Sequence, residues 1–251
     1  MVDLNGKLER ALEVKIISLE RKYSKRNNVY LAEVITSHNI IKKFIVKEYE
    51  GQSAGNEIFI LHMLKQHGLR VPQITWYDNK ILVMEYIHGL LLAELLVDQG
   101  PDQELWVNAL AGWLHELHGC MKIYKKNPFE QTCLCMADLN LRNFIFDSRV
   151  FYGIDFEDVC FYPPERDLGV ICAFILNNDP MFTSWKYSIC SSLISCYDKM
   201  FDDESVSRLN PGLIWYYLIE ELKAAAERRE PQRELLNAYI KELNYNSIFN
   251  Y

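Results

Sequence analysis

The stretch MADLNLRNFIF, residues 136–146, sets Asp138, two asparagines and an arginine among apolar residues and closes as what reads as a buried strand. A second apolar run, YGIDFEDV at 152–159, also reaches an acid, Asp155. Bringing a carboxylate to the end of a buried strand is costly unless it meets a partner or a ligand. Phosphoryl transfer gives such acids a task. It needs one acid to orient the attacking hydroxyl and accept its proton, and oxygen ligands that hold magnesium against nucleotide phosphates. Asp138 suits the first role. Asn143 and Asp155 suit the second, since magnesium takes hard oxygen donors. The strands NFIF and VFYGI would form a hairpin that brings Asn143 and Asp155 to neighbouring positions.

Composition sets the frame. The chain has 251 residues, 49% of them apolar and 24% charged, which suits a globular protein of one large domain or two lobes. A net charge of −7 argues against nucleic acid as the main partner. The N-terminal MVDLNGKLERALEVK has no apolar signal core. The longest apolar run, KILVMEYIHGLLLAELLVD, is broken by Glu85, His88, Gly89 and Glu94 and cannot span a bilayer. Seven cysteines include no C-x-x-C pair. Cys133 and Cys135 form a C-L-C whose alternation places both thiols on one strand face, as half a metal site would. No complementary Cys or His pair has the spacing to complete it, so the reading is of buried, reduced thiols in a cytoplasmic protein.

Residues 1–84 read as a β-rich lobe around one helix. EVKIISLE (13–20), NVYLAEVIT (28–36) and IIKKFIVKEY (40–49) are strands, the last two joined by an SHN turn. GNEIFILHMLKQHG (55–68) switches to helical period, with Ile58, Leu61, Met63 and Leu64 as its stripe and Gly68 as its stop. QITWYD and KILVMEYI return to strand. A hinge at 85–89 leads into a larger helical lobe, 90–251. There QELWVNALAGWLHELHG should bury Leu105, Ala109, Leu110, Trp113, Leu114 and Leu117. From Asp167 onward the pattern is helical almost to the end. The fold class expected is α+β, two-lobed, with a cleft between the lobes.

ADLNLRN, IDFED and the later ERDLG, in this order, resemble the protein-kinase-like phosphotransferases of the aminoglycoside phosphotransferase and choline kinase group. The resemblance covers most of residues 13–170. It implies a kinase-like fold, ATP or GTP with Mg2+ as cofactors, and a small-molecule hydroxyl as acceptor. It makes Asp138 the catalytic base and Asn143 and Asp155 the metal ligands. Lys47, in FIVKEY, becomes the lysine that contacts the nucleotide phosphates, and Glu57 the helix acid that pairs with it. In MEYIHG the backbone of Glu85 and Ile87 would bind adenine, and Asp167 would brace the catalytic loop.

The chain departs from that group twice. Its first hairpin loop, RKYSKRNN, has no glycine, so Asn27 and Asn28, which tolerate unusual backbone angles, would stand in, with Lys22, Lys25 and Arg26 offering charge. Met136 occupies the position where the group usually has His. These departures motivate a second reading, a nucleotide-binding or scaffold pseudokinase. A third, a protein kinase, is disfavoured by the roughly ten residues between Asp155 and PPERDLG, too short for a long activation segment. His115 and His118 in WLHELHG read as packing or helix C-terminal charge compensation rather than a metal pair. Glu157, Asp158 and Glu165 would line a pocket for a cationic acceptor, cap helices or face water. Acceptor identity and oligomeric state are not encoded in any motif.

Overall fold

Alternation of apolar residues is clearest in the first third of the chain, and there the strands assemble. The computed structural model describes residues 4–24, 26–51, 53–97, 102–123, 132–201 and 209–249. The chain divides into two compact units, Met1–His88 and Gly89–Tyr251.

In the first unit, helix α1 (Leu4–Leu12) precedes strands β1 (Val14–Lys22), β2 (Asn28–Thr36) and β3 (Ile41–Glu48). Helix α2 (Gly55–Gln66) and strands β4 (Ile74–Tyr77) and β5 (Ile81–Glu85) follow. The five strands form one antiparallel sheet in the order β1-β2-β3-β5-β4. Asn39, at φ +58°, turns β2 into β3. The unit thus carries two helices, not the single helix read from the sequence. Leu4, Leu8 and Leu12 recur every four residues, so α1 lays an apolar stripe on the sheet, where Leu8 is buried with Ala32, Val34, Val46, Ile81 and Val83. The charged residues Lys7, Glu9 and Arg10 between those leucines hide the stripe from a search for continuous apolar runs. In α2 three of the four expected stripe residues lie where the period places them, while Met63 is only half-buried and Ile60 is buried instead. Ile58, Leu61 and Leu64 are buried, and Gly68, at φ +83°, ends the helix in the left-handed conformation that a Cβ would oppose.

The second unit begins with β6 (Leu90–Leu91), a short helix α3 (Leu92–Leu95) and the long α4 (Gln103–Cys120). Strands β7 (Lys122–Ile123), β8 (Thr132–Met136), β9 (Phe144–Phe146), β10 (Phe151–Gly153) and β11 (Val159–Tyr162) come next. They form two small sheets, β10-β9-β6 and β11-β8-β7. Helices α5 (Pro164–Leu176), α6 (Ser184–Asp198), α7 (Pro211–Arg228), α8 (Arg233–Glu242) and α9 (Asn246–Phe249) complete the unit. The buried face of α4 comprises Trp106, Val107, Leu110, Ala111, Trp113, Leu114 and Leu117, while Leu105 is 49% exposed. Leu105 lies five residues before Leu110, about 140° round the helix, whereas Trp106 and Val107 at i−4 and i−3 share its face. Where α5 meets α7, a Cβ on Gly169 would stand 2.5 Å from the Ile214 carbonyl oxygen, so the close approach requires glycine. Among the described residues no helix is long and apolar enough to cross a membrane.

Candidate functional site

In the first unit, alternation along β3 turns Val46 into the α1-side core and Lys47 to the opposite face. There Lys47 Nζ lies 2.8 Å from Glu57 Oε2, with the two side chains 6% and 1% exposed. The Tyr49 hydroxyl donates to the same carboxylate oxygen, and the Lys47 ammonium sits 5.4 Å from the centre of the Tyr49 ring. Lys47 and Glu57, predicted as a strand–helix pair, are therefore in contact. A buried charge pair of this kind fixes geometry more than it adds stability.

The predicted hinge residues lie at the end of the same sheet. Glu85 closes β5, its N–H donating to the Gln73 carbonyl at 2.9 Å and its carboxylate accepting the Gln73 N–H at 2.8 Å. Ile87 follows, half-buried. The first hairpin loop departs from expectation. Neither Asn27 nor Asn28 has positive φ, so neither substitutes for a glycine through its backbone. Asn28 is already part of β2, paired opposite Glu48, and its amide donates to Glu50 Oε1 at 2.7 Å. Asn27 is 5% exposed. Lys22 pairs with Glu20 at 2.6 Å, and Lys25 lies outside the described residues.

In the second unit, one hydrogen-bonded loop end gathers Asp138, Asn143 and Asp155. Asp138 is exposed, and its Oδ1 accepts the Asn140 N–H at 3.0 Å. Asn143 closes a 3-10 turn, Leu141–Asn143, and its side-chain amide nitrogen donates to the Asp138 carbonyl at 3.1 Å. With the nitrogen so used, Asn143 Oδ1 is the atom left to face a cation. The β9–β10 hairpin forms in the register Phe144↔Gly153, and the Ile154 N–H donates to the Asn143 carbonyl at 2.9 Å. Asp155 is thus the second residue beyond the hairpin's last pair, exposed and at φ +66°. Gly153 permits this placement, because a Cβ there would lie 2.2 Å from the Trp113 ring. The Asn143 amide oxygen and the Asp155 carboxylate are hard oxygen donors of the kind magnesium takes.

Behind this loop lies a buried frame. Asp167, fully buried in the first turn of α5, accepts the Met136 N–H at 3.2 Å through Oδ2 and the Arg166 guanidinium at 2.7 Å through Oδ1. Arg166 Nη1 also donates to the Met136 carbonyl at 2.7 Å. Both main-chain polar groups of Met136 are held, so the loop is braced although no histidine stands at that position. His118, 3% exposed, meets Asp167 Oδ2 at 3.2 Å through Nε2 and the Tyr197 hydroxyl at 2.7 Å through Nδ1. Burial disfavours charge on this imidazole, but hydrogen bonding and attraction from Asp167 outweigh it and push the pKa up to about 9. His118 is therefore an internal partner of Asp167 rather than compensation for a helix terminus. Sequence reasoning missed Arg166 and this role of His118, because both partnerships cross between elements far apart in the chain. Glu165, 8% exposed, accepts the Asn210 N–H at 2.9 Å and so ties α5 to the start of α7 instead of facing an acceptor. Asp158 caps β11 through the Val159 N–H at 2.9 Å.

The model of the RIO domain family matches residues 3–160, well over half of the chain, and the chain belongs to that family. The whole chain also resembles solved structures at low sequence identity. An ADP-bound aminoglycoside phosphotransferase aligns at a TM-score of 0.65 and 14% identity, covering 98% of this chain and 99% of that one. An amicoumacin kinase in complex with AMP-PNP, Ca2+ and amicoumacin aligns at 0.66 and 13%, covering 98% and 97%. An ethanolamine kinase of Plasmodium vivax aligns at 0.59 and 16%, covering 92% and 79%. At these identities the likeness is one of fold: the architecture is protein-kinase-like. A comparison with curated protein sequences finds no match.

Proposed function

We propose that this RIO-domain chain is a phosphotransferase that moves the γ-phosphoryl group of ATP or GTP to a hydroxyl of a small molecule. One observation carries the reading. The Asn143 side chain donates to the Asp138 carbonyl and the Ile154 N–H, next to Asp155, donates to the Asn143 main-chain carbonyl, so one hydrogen-bonded loop carries all three residues. Asp138 orients the acceptor hydroxyl and takes its proton as the bond to phosphorus forms. Asn143 Oδ1 and the Asp155 carboxylate hold magnesium, which when bound neutralises charge on the phosphate oxygens. Lys47, fixed by Glu57 and Tyr49, contacts the nucleotide phosphates. The Glu85 carbonyl and the Ile87 N–H take the adenine edge.

The acceptor separates two readings. Membership of the RIO family favours a protein hydroxyl. Against it, only eight residues separate Asp155 from α5, and β11 takes four of them, paired along its length with β8. Little chain is left there to dock a polypeptide, which supports a small-molecule acceptor.

Thermal-shift titrations with ATP and GTP, each with and without magnesium, test the nucleotide site. A ligand at one hundred times its dissociation constant adds about 2.7 kcal/mol of stability. The reading requires a shift that depends on magnesium; a nucleotide shift indifferent to the metal supports the pseudokinase instead. Phosphate transfer from labelled ATP to a panel of amino alcohols, aminoglycosides and sugars, with a generic protein mixture beside it, then assigns the acceptor. Transfer to protein alone would overturn the small-molecule reading.

A further inference from the structure

The C-L-C pair is not used by the mechanism above, yet it lies three residues before Asp138. Cys133 and Cys135 point to one face of β8, buried at 3% and 0% exposure, with their sulfurs 3.8 Å apart. Both thiols reach for a single acceptor, the Tyr162 carbonyl, at 3.3 and 3.6 Å. A ring nitrogen of His118, contributed by α4, lies within 4.8 Å of both sulfurs. A histidine fifteen residues upstream of the first cysteine fits no ligand-spacing rule, which is why the sequence shows only half of this cluster.

We propose that Cys133, Cys135 and His118 form a binding site for a thiophilic divalent cation of the zinc class, which pins β8 to α4 directly behind the catalytic loop. The distances favour this. Two sulfurs, each about 2.3 Å from one tetrahedral cation, stand about 3.8 Å apart, the separation of Cys133 and Cys135. Each thiol gives up its proton on binding. When one His118 nitrogen binds the cation, the other keeps a protein partner, Asp167 or Tyr197, which sets the ring as an outer carboxylate or hydroxyl does in metal sites. Cys160, paired across the ladder from Cys135, turns its sulfur to the Cys135 and Met136 carbonyls at 3.8 and 3.6 Å and stands outside this three-residue set. Soft sulfur ligands keep this site chemically separate from the hard oxygen set of Asp138, Asn143 and Asp155. The proposal does not depend on the phosphotransfer reading.

The test is a titration of the chelator-stripped, fully reduced full-length protein with cobalt(II) chloride. One equivalent should bind and produce a thiolate-to-cobalt charge-transfer band, which added zinc chloride then removes. The band should be lost in Cys135→Ser and in Cys133→Ser and kept in Cys196→Ser. No charge-transfer band at a tenfold excess of cobalt would overturn the proposal, as would a band of full intensity in the Cys133→Ser/Cys135→Ser double variant. Should those variants fail to fold, zinc-edge X-ray absorption on the wild-type protein decides the matter. Two or three sulfur neighbours support the site, and a shell of nitrogen and oxygen alone overturns it.

Discussion

Three aspartates of the second unit lie within thirty residues of one another, and the structure treats them in two opposite ways. Asp167 is wholly buried and accepts hydrogen bonds from His118, Arg166 and the Met136 main chain. Asp138 and Asp155 are exposed, and Asp155 holds a left-handed backbone that ordinary residues avoid. A carboxylate surrounded by donors can only hold its neighbours in place. An exposed carboxylate on such a loop can serve the ligand-binding role proposed above, and backbone strain of this kind persists where the surrounding structure imposes it. Burial, not residue type, separates the frame from the groups proposed to work.

The comparison breaks most visibly at Asp167. Asp167→Ala takes the carboxylate from the largely buried Arg166 guanidinium, leaves His118 Nε2 without its partner and releases the Met136 N–H. Breaking a buried pair in this way costs about 3–5 kcal/mol, and urea unfolding should show it. A loss below about 1 kcal/mol would mean that water reaches the network and that Asp167 is no frame at all. Asp138→Asn should do the reverse. Its side-chain oxygen still accepts the Asn140 N–H, so stability should stay within about 0.5 kcal/mol. Transfer should fall by roughly 10²- to 10⁴-fold, the contribution of a positioned base. Wild-type turnover in this variant would remove Asp138 from its role.

Asp155 sharpens the contrast further. Both Asp155→Ala and Asp155→Gly should abolish the magnesium-dependent part of any nucleotide-induced thermal shift. They should differ in stability, because alanine at φ +66° is strained and glycine is not. The expected gap is about 1 kcal/mol in favour of glycine. Equal melting temperatures for the two variants would show that the loop relaxes and that the left-handed conformation is not imposed by the fold.

This difference also explains what could be seen in the sequence. Asp138, Asn143 and Asp155 stand out because their geometry is local: a short turn and one hairpin bring them together, and spacing alone reports it. Lys47 and Glu57 were legible for a similar reason, since strand and helix periods each fix which way the side chain faces. The bracing of Met136 was only half legible. Its partners Arg166 and His118 arrive from α5 and α4, and no local period links them to residue 136. Helix α1 was hidden by its own charges, and the stripe on α4 was misplaced by one residue at its first turn, where Leu105 faces solvent. The positive φ of Asp155 has no signature in a sequence where glycine would be the usual indication.

Asp78, in the first unit, lies between the two extremes and should give the smallest effect. Its side chain is 29% exposed and pairs with Lys7 of α1, while its Oδ1 accepts the N–H groups of Lys80 and Ile81 at 2.8 Å each. Partial burial pushes its pKa up, but hydrogen bonds from Lys7, Lys80 and Ile81 outweigh that and hold it below the ordinary carboxylate value. A carboxyl lowered in the folded state adds stability above its unfolded pKa and loses it as the pH falls through the folded one. Lys7→Gln should therefore cost a few tenths of a kcal/mol at neutral pH and low salt, the scale of a solvent-screened pair. Part of that difference should fade between about pH 5 and pH 3 as the wild-type carboxylate is protonated. The remainder reflects the Lys7 ammonium 5.9 Å from the Trp76 ring, which does not titrate in this range. A gap between wild type and Lys7→Gln that stayed constant from neutral to acid pH would assign the whole effect to that ring contact and none to Asp78.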